Sequence, residues 1–548
     1  MRPTTALAAL ASISVAHGQL IGNHPPKLVV LISIDQFRAD YVERYSPYFL
    51  PTKSGKTLGG FKYLTETGSW YLDAHHNHIP TATGPGHATL MTGSEPAYDG
   101  IIGNDWFNRE TGKGVYCVDD ASVETVGGTS KPMSPRNLRV TTIGDELKLA
   151  TGGRSKVVGI SFKDRAAILM AGHAADTVIW FDSGTGNWVT SSFYAPSKQL
   201  PEWVAALNSE KVPQKKFGSL WEPLLAPEAY SLTRRNPNEK PAENGKLFSH
   251  STESATKSGK QNYDGFTRTS FGQEYVFDTI ERALDSEKLG AHDVPDVLVV
   301  NLATNDYVGH PYGPDSPEVM DITVRTDRLL SGLINSLDRR IGIDNVALVV
   351  TADHGVLPVV EESADRFRTG SIRVTANFKQ VIDESLTKTF GPGEWVLGDG
   401  LYEQNLYLNR RLAQEKGLSI PALETAAAQA ASTIPGVFAA YTRSQILKGE
   451  LPALDVMTLV SNGFGTDRGG DVMVFEAPGA YFGGGGGTGH GSLWAYDTHV
   501  PILVHAKGVK PGRYFDTVHT SDIASTLAHL LGIEYPTGNV GRPLPGMK

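Results

Sequence analysis

The chain has 548 residues, 40% hydrophobic and 20% charged, with 59 glycines, 32 prolines and a formal net charge of −9. This is an ordinary soluble globular composition, long enough for one large elaborated domain or two to three smaller ones. The acidic balance, without any Lys/Arg run, argues against nucleic acid as a main partner.

The first residues, MRPTTALAALASISVAHGQL, place one Arg before a short apolar run and then Ala16-His17-Gly18. That order reads as a secretory signal over residues 1–18, cleaved after Gly18, and predicts a periplasmic or secreted mature protein over 19–548. The apolar run is too short and too rich in Ala and Ser to span a membrane, and no later segment reaches spanning length. Cys117 is the only cysteine. An exported protein of this size without a disulfide relies on its core and on metals. The apolar context of Cys117, GVYCVDD, reads as a buried inert thiol.

Lys27–Ile34 (KLVVLISI) is a continuous β-branched run, the signature of a strand buried on both faces. Similar runs recur at Lys156–Phe162, Val297–Ala303, Val346–Thr351, Val472–Phe475 and Val500–His505. Helical patterns alternate with them at Gly272–Leu284, Ile322–Leu337 and Thr520–Leu531, the last with Thr520 or Ser521 as N-cap and Gly532 past its end. The expected fold is an α/β/α sandwich around a largely parallel sheet. Two stretches break the rhythm, at about 185–270 and 360–470, and read as insertions decorating one catalytic domain because core-type strands resume after each. The second holds the alternating GLYEQNLYLN and a helix near Pro421–Ile434. Gly483–Gly487 reads as a flexible loop ahead of His490, and there is no internal repeat.

The stretch 78–106, HIPTATGPGHATLMTGSEPAYDGIIGNDW, carries the first chemistry. Thr83 precedes Gly84-Pro85-Gly86 and a helical pattern, so its hydroxyl sits where unpaired backbone N–H groups and the helix dipole favour an anion. Thr83 is the candidate phosphate-attacking nucleophile, with Thr81 and Thr92 as competitors. An unassisted threonine is a poor nucleophile and needs a base or a metal. Buried strands in this architecture deliver functional groups at their carboxyl ends. Asp35, Asp306 with His310, and Asp353-His354 follow such strands, and His490 lies before the run at 500–505. Singly, such an Asp reads as a helix cap and such a His as an exposed loop residue. Together they form a mixed O/N set suited to zinc or another borderline divalent ion, distributed as if for two ions clamping an in-line displacement.

These residues resemble the alkaline phosphatase superfamily, and within it the PafA-type branch of exported threonine-nucleophile enzymes. The likeness is carried by LISIDQFRADY, TATGPGHATLMTG, GIIGNDW, SFKDRAA, NDYVGHPYGP, TADHG and GHGSLWAYDTHVP. It implies that Asp35, Asp353, His354 and Thr83 bind one Zn2+, and that Asp306, His310 and His490 bind the other. Asn104 would donate to a phosphoryl oxygen, and Lys163 and Arg165 would contact the remaining ones, with Asp164 turned away if the segment is extended. Two dications balance three aspartates and a Thr83 alkoxide, so the two basic residues supply the charge that matches a dianionic monoester. The resemblance thus implies a monomeric zinc phosphomonoesterase acting on small phosphate monoesters through a phosphothreonine. His87 and His499 read as structural. The rivals are a phosphodiesterase or nucleotide pyrophosphatase, a sulfatase, which would need a C-x-P-x-R context that Cys117 lacks, and a non-enzymatic metal-binding protein.

Overall fold

The computed structural model describes residues 25–239, 247–367 and 370–547, so the leader read at 1–18 lies outside the described residues. The run after Lys27 forms β1, Leu28–Ile34, with all seven residues buried. Val29 and Leu31 join one hydrophobic cluster, whereas Leu28, Val30, Ile32 and Ile34 join another. Side chains alternating across a strand thus meet an apolar layer on each face, which is why the run shows no polar alternation.

The strands that complete the two larger sheets are β2 (Ser69–His75), β3 (Thr125–Val126), β4 (Val157–Ile160), β5 (Thr177–Asp182), β6 (Asn187–Ser191), β7 (Asp296–Leu302), β8 (Val346–Thr351), β9 (Val396–Tyr402), β10 (Asn405–Leu408), β11 (Val437–Thr442), β12 (Val472–Glu476), β13 (Ile502–His505) and β14 (Gly512–His519). A ten-stranded sheet runs β14-β2-β13-β8-β1-β7-β4-β5-β6-β3, and a four-stranded sheet runs β9-β10-β12-β11. The block β8-β1-β7-β4-β5 is parallel, as is β14 with β2. Strand β13 is antiparallel to both its neighbours.

That topology positions the site. In register, Ile34 lies beside Leu302, Ser33 beside Thr351 and Val300 beside Ile160. The residues following β1, β7, β8 and β4 therefore emerge at one edge of the sheet. Two successive reversals give β2 the same sense, so its exit loop leads to Thr83 at that edge. Because β13 runs the other way, the chain enters it from this edge, which brings the loop of His490 to the same place.

The helices used below are α1 (Thr83–Thr92), α2 (Asp164–Ala171), α3 (Ser270–Ser286), α4 (Thr304–Tyr312), α5 (Pro317–Ile341) and α6 (Asp522–Leu531). Val276 and Ile280 of α3 and Leu330, Leu333 and Ile334 of α5 pack on one face of the sheet. Leu90 of α1, Ile168 of α2 and Leu527 of α6 pack on the other. The fold is a mixed α/β sandwich around a mostly parallel sheet. Helix α6 ends on the left-handed Gly532, but Ser521 at its cap position makes no capping bond through its side chain. The neighbouring Thr520 hydroxyl instead meets His76 Nδ1 at 3.0 Å.

The run at 472–475, expected among the main-sheet strands, is β12 of the second sheet. Val472 and Val474 pack there with Leu406, Leu408 and Leu423 in a separate hydrophobic cluster. A short apolar run reads the same in either sheet, so pattern alone does not tell them apart. No helix among the described residues is long and apolar enough to cross a membrane.

Candidate active site

Thr83 opens α1, with Ala82 still extended at φ −137° and ψ 161°. Gly86 faces the backbone carbonyl of Asp353 so closely that any Cβ would collide with it. The Gly-Pro-Gly turn thereby seats the helix start directly on the loop after β8. The Thr83 hydroxyl lies 3.3 Å from Lys163 Nζ and 3.2 Å from Arg165 Nη2. Thr81 instead donates to the Ser492 carbonyl at 3.0 Å, and Thr92 to the Ala88 carbonyl at 2.7 Å. Of the three threonines weighed, these bonds leave Thr83 as the one that meets the basic pair.

Lys163 is buried and also reaches Asp35 Oδ1 at 2.9 Å and Asp306 Oδ2 at 2.6 Å. Its pKa is raised, because those two carboxylates outweigh the cost of burial. Arg165 Nη1 lies 3.0 Å from the Tyr116 hydroxyl, which donates to Asp164 Oδ1 at 2.5 Å. The segment is extended only at Lys163 and turns helical from Asp164, so the condition for Asp164 turning away is not met. Lys163 is the N-cap of α2 and Asp164 its first residue, with Asp164 Oδ1 accepting the Arg165 N–H at 2.6 Å. An acidic residue at a helix start favours that early turn. Both basic side chains still reach Thr83, from a cap and a first turn.

The three expected imidazole ligands share one device. His354 Nδ1 donates to the Gly355 carbonyl at 2.9 Å, His310 Nδ1 to Thr488 at 2.8 Å, and His490 Nδ1 to Thr81 at 2.8 Å. A carbonyl only accepts, so each Nδ1 carries a proton, and in the neutral ring Nε2 then presents a lone pair inward, the arrangement of metal-ligating histidines. Burial opposes protonation of His310, but the Asp306 carboxylate outweighs it and raises its pKa. His310 Nε2 and His490 Nε2 lie 3.1 Å and 3.7 Å from Asp306 Oδ1. His354 Nε2 lies 3.3 Å from Asp353 Oδ2 and 3.6 Å from Asp35 Oδ1. Burial holds His354 and His490 well below the usual imidazole range, keeping them neutral and able to ligate. Burial, reinforced by the Asp35 charge, pushes Asp353 well above the usual carboxylate range. Asp306 stays well below it because His310 and Lys163 outweigh its burial.

This donor set fits metal ions. His354 Nε2 and Asp353 Oδ2 are buried and have no hydrogen-bond partner, a costly state unless an ion binds there. Ligand atoms within 4.8 Å of one another group Asp306 with His354 and His490, and Asp35 with Asp353 and His87. His354 therefore lies within reach of both groups. His87 has both nitrogens engaged, Nδ1 with the Thr83 carbonyl at 2.8 Å and Nε2 with Asn301 Nδ2 at 3.0 Å. Those bonds make it a brace for the Thr83 backbone. A third group, Asp73, His75 and His499, is already hydrogen-bonded within itself and to Thr498, Thr517 and Leu72.

Sequence reasoning missed several residues around the site. Gln36, in the left-handed region at φ 59°, donates its N–H to Asp353 Oδ1 at 3.1 Å and its Nε2–H to Asp306 Oδ1 at 2.8 Å. It ties together the carboxylates of two different strands. Asn301 Nδ2 holds Asp35 Oδ2 at 3.0 Å. Their adjacency to strand ends was the available signal, but Gln and Asn at such places carry no distinctive spacing. Asn104 accepts the Gly84 N–H on Oδ1 at 2.8 Å, next to Thr83.

Cys117 is fully buried and its thiol is pushed well above its usual range by burial. The folded protein is expected to leave it unmodified by a chromogenic disulfide reagent, with one equivalent reacting after denaturation. Fast stoichiometric labelling of the native state would contradict that reading.

The model of the type I phosphodiesterase / nucleotide pyrophosphatase family matches residues 29–498. The chain is 36% identical to alkaline phosphatase PafA of Elizabethkingia meningoseptica, over 95% of this chain and 94% of that one. It is 34% identical to alkaline phosphatase PhoV of Synechococcus elongatus, over 94% of this chain and 92% of that one. The crystal structure of wild-type PafA superposes with a TM-score of 0.85 at 32% identity, covering 96% of this chain and 99% of that chain.

Proposed function

The chain belongs to the type I phosphodiesterase/nucleotide pyrophosphatase family of the alkaline phosphatase superfamily, and from that premise we infer that it is an alkaline phosphatase, a phosphoric monoester hydrolase. The observation that carries the mechanism is the Thr83 hydroxyl at a helix start, within 3.3 Å of both Lys163 and Arg165. Thr83 Oγ1 gives up its proton and forms a bond to phosphorus as the bond to the leaving-group oxygen breaks. The leaving group departs protonated, as the alcohol. Water then displaces Thr83 from the phosphothreonine and restores its hydroxyl. Lys163, Arg165 and the Asn104 carboxamide hold the phosphoryl oxygens, and a loose transition state makes such placement of charge most of the catalysis. Asp35, Asp353, His354 and Thr83 would hold one Zn2+ and Asp306, His310 and His490 a second, supplying a more acidic nucleophile and a charge sink for the leaving group. Export through a leader at 1–18, a monomeric state, and insertions at about 185–270 and 360–470 within one catalytic domain belong to the same proposal.

The family description keeps phosphodiester hydrolysis as the second reading. Lys163 and Arg165 favour the monoester, because two cations beside the nucleophile match a dianion better than a monoanion. Metal analysis combined with kinetics on matched aryl monoester and diester substrates tests the proposal. A strong diester preference, or fewer than two transition-metal ions in active enzyme, would overturn it. Replacing both Lys163 and Arg165 by Ala is expected to cost about 100-fold or more in kcat/KM on the monoester. The loss on the diester should be much smaller, so the monoester/diester ratio itself should fall. An equal loss on both substrates would show that the two residues do not select charge.

A further inference from the structure

The inserted sheet reaches the active site through one turn. Tyr402 pairs with Asn405 across β9 and β10, leaving Glu403-Gln404 as a two-residue turn. Glu403 sits in the left-handed region at φ 50°, which residues with a side chain seldom adopt. In that conformation its Oε1 accepts the backbone N–H of Asn104 at 3.2 Å. Its Cγ lies against Gly103, where a Cβ would come within 2.9 Å. Burial pushes the Glu403 carboxyl up, and hydrogen bonds from the backbone and the side chain of Asn104 pull it back down. Gln404 Nε2 donates to the Gly491 carbonyl at 2.9 Å, one residue from His490. The same turn therefore touches the Asn104 loop and the His490 loop.

Asn104 is gripped from its other side as well. Its Oδ1 accepts the Gly84 N–H at 2.8 Å, and its carbonyl accepts the Cys117 N–H at 2.8 Å. A donor on Oδ1 fixes which way the carboxamide faces. With Oδ1 held by Gly84 and the backbone N–H held by Glu403, the amide group Nδ2 is the donor left for substrate. A donor at a reacting centre must be held to about half an ångström, which its own loop alone does not ensure.

We propose that Glu403 is a positioning residue for phosphoryl transfer, whose carboxylate sets the Asn104 turn so that the carboxamide presents an N–H to the phosphoryl oxygens beside Thr83. The inference rests on the reading of Asn104 as a phosphoryl-oxygen donor. It makes the inserted sheet part of the reaction, through an acceptor that touches neither substrate nor nucleophile.

The test is a double-mutant cycle on the metal-loaded enzyme with an aryl phosphate monoester, metal content and Tm being measured for every variant. Asn104→Ala is expected to lower kcat/KM by about 100-fold. Glu403→Ala is expected to lower it by about tenfold or more through misplacement of that donor, mainly in kcat and with metal content unchanged. In the Asn104→Ala background Glu403→Ala should cost less than about threefold, since nothing remains to position. Glu403→Gln, which keeps an acceptor oxygen, should restore most of the rate. Glu403→Met keeps the length without the acceptor, should behave like alanine, and replaces it in the cycle if the alanine variant does not fold. An equal cost of the Glu403 variant with and without Asn104 overturns the proposal, as does a Glu403→Met enzyme as fast as Glu403→Gln. If Asn104→Ala costs nothing, the reading of Asn104 fails and this inference fails with it. A costly Asn104→Ala beside a silent Glu403→Ala sinks the inference alone.

Discussion

Thr83→Ala is expected to lower kcat/KM on an aryl phosphate monoester by about 10^4-fold or more, while the protein keeps its fold and its full complement of bound metal. A nucleophile removed outright costs far more than one misplaced donor, because no other group can form the covalent intermediate. Thr81 and Thr92 cannot take over, since their hydroxyls are committed to the carbonyls of Ser492 and Ala88. Metal retention follows from the ligand set, in which three carboxylates and three imidazoles remain. Thr83→Ser should keep part of the rate and trap a phosphoserine under acid quench. A Thr83→Ala enzyme within about tenfold of the parent would show that phosphate is attacked by some other group, and that Thr83 only lines the site.

Removing divalent ions with a chelator should abolish turnover, and adding back two equivalents of Zn2+ should restore it together with several degrees of Tm. An ion that binds only the folded chain stabilises it by about 3 kcal/mol at a concentration one hundred times its Kd. The size of that gain should depend on pH. Asp353 has its folded pKa raised by burial and by Asp35. The metal-free folded chain therefore retains a proton that the unfolded chain has released. Its contribution is fully present below the unfolded carboxylate pKa, about 4, and is lost as pH rises through the folded value. His354 and His490 are already neutral, so Asp353 is the group that must release a proton for a cation to bind there. The Tm difference between metal-loaded and metal-free protein should therefore widen as pH rises above the unfolded carboxylate pKa. A difference that is flat or narrows with pH would mean that the ion does not bind at Asp353.

The central strands were legible because burial on both faces makes them nearly continuous apolar runs, with polar residues confined to their ends, as in β1, β7 and β8. Strand β14 was not. Its eight residues, GRYFDTVH, lie at the sheet edge and are mostly solvated, so they carry no hydrophobic signature. Asp and His at the ends of buried strands could be found by position, and the matching register of β1, β7 and β8 explains why they meet. His490 was found by residue type, but its arrival depends on the reversal of β13, which periodicity does not reveal. Gln36 and Glu403 were invisible for another reason. Each acts through a left-handed backbone and a partner far away in sequence, so neither its type nor its spacing is informative. The backbone of Lys163–Arg165 stayed open because a charged triplet after a strand reads equally well as an extension or as a helix start.

The reversed entry into β13 has a consequence for how the molecule matures. Asp35 and Thr83 come from the first part of the chain, Asp306 and His310 from the middle, and Asp353, His354 and His490 from later segments, yet all meet at one edge. No short segment holds a full set, since Asp306 and His310 need the distant His490 and Asp353 and His354 need Asp35 and Thr83, and the helix start at Thr83 has no floor until Asp353 arrives beneath Gly86. Contacts so distant in sequence are assembled late, after the costly loop closures have been made. Binding of an ion by a full set would therefore come late in assembly. Half-folded chains should remain both inert and metal-poor, and metal uptake during refolding should lag behind the gain of helical signal.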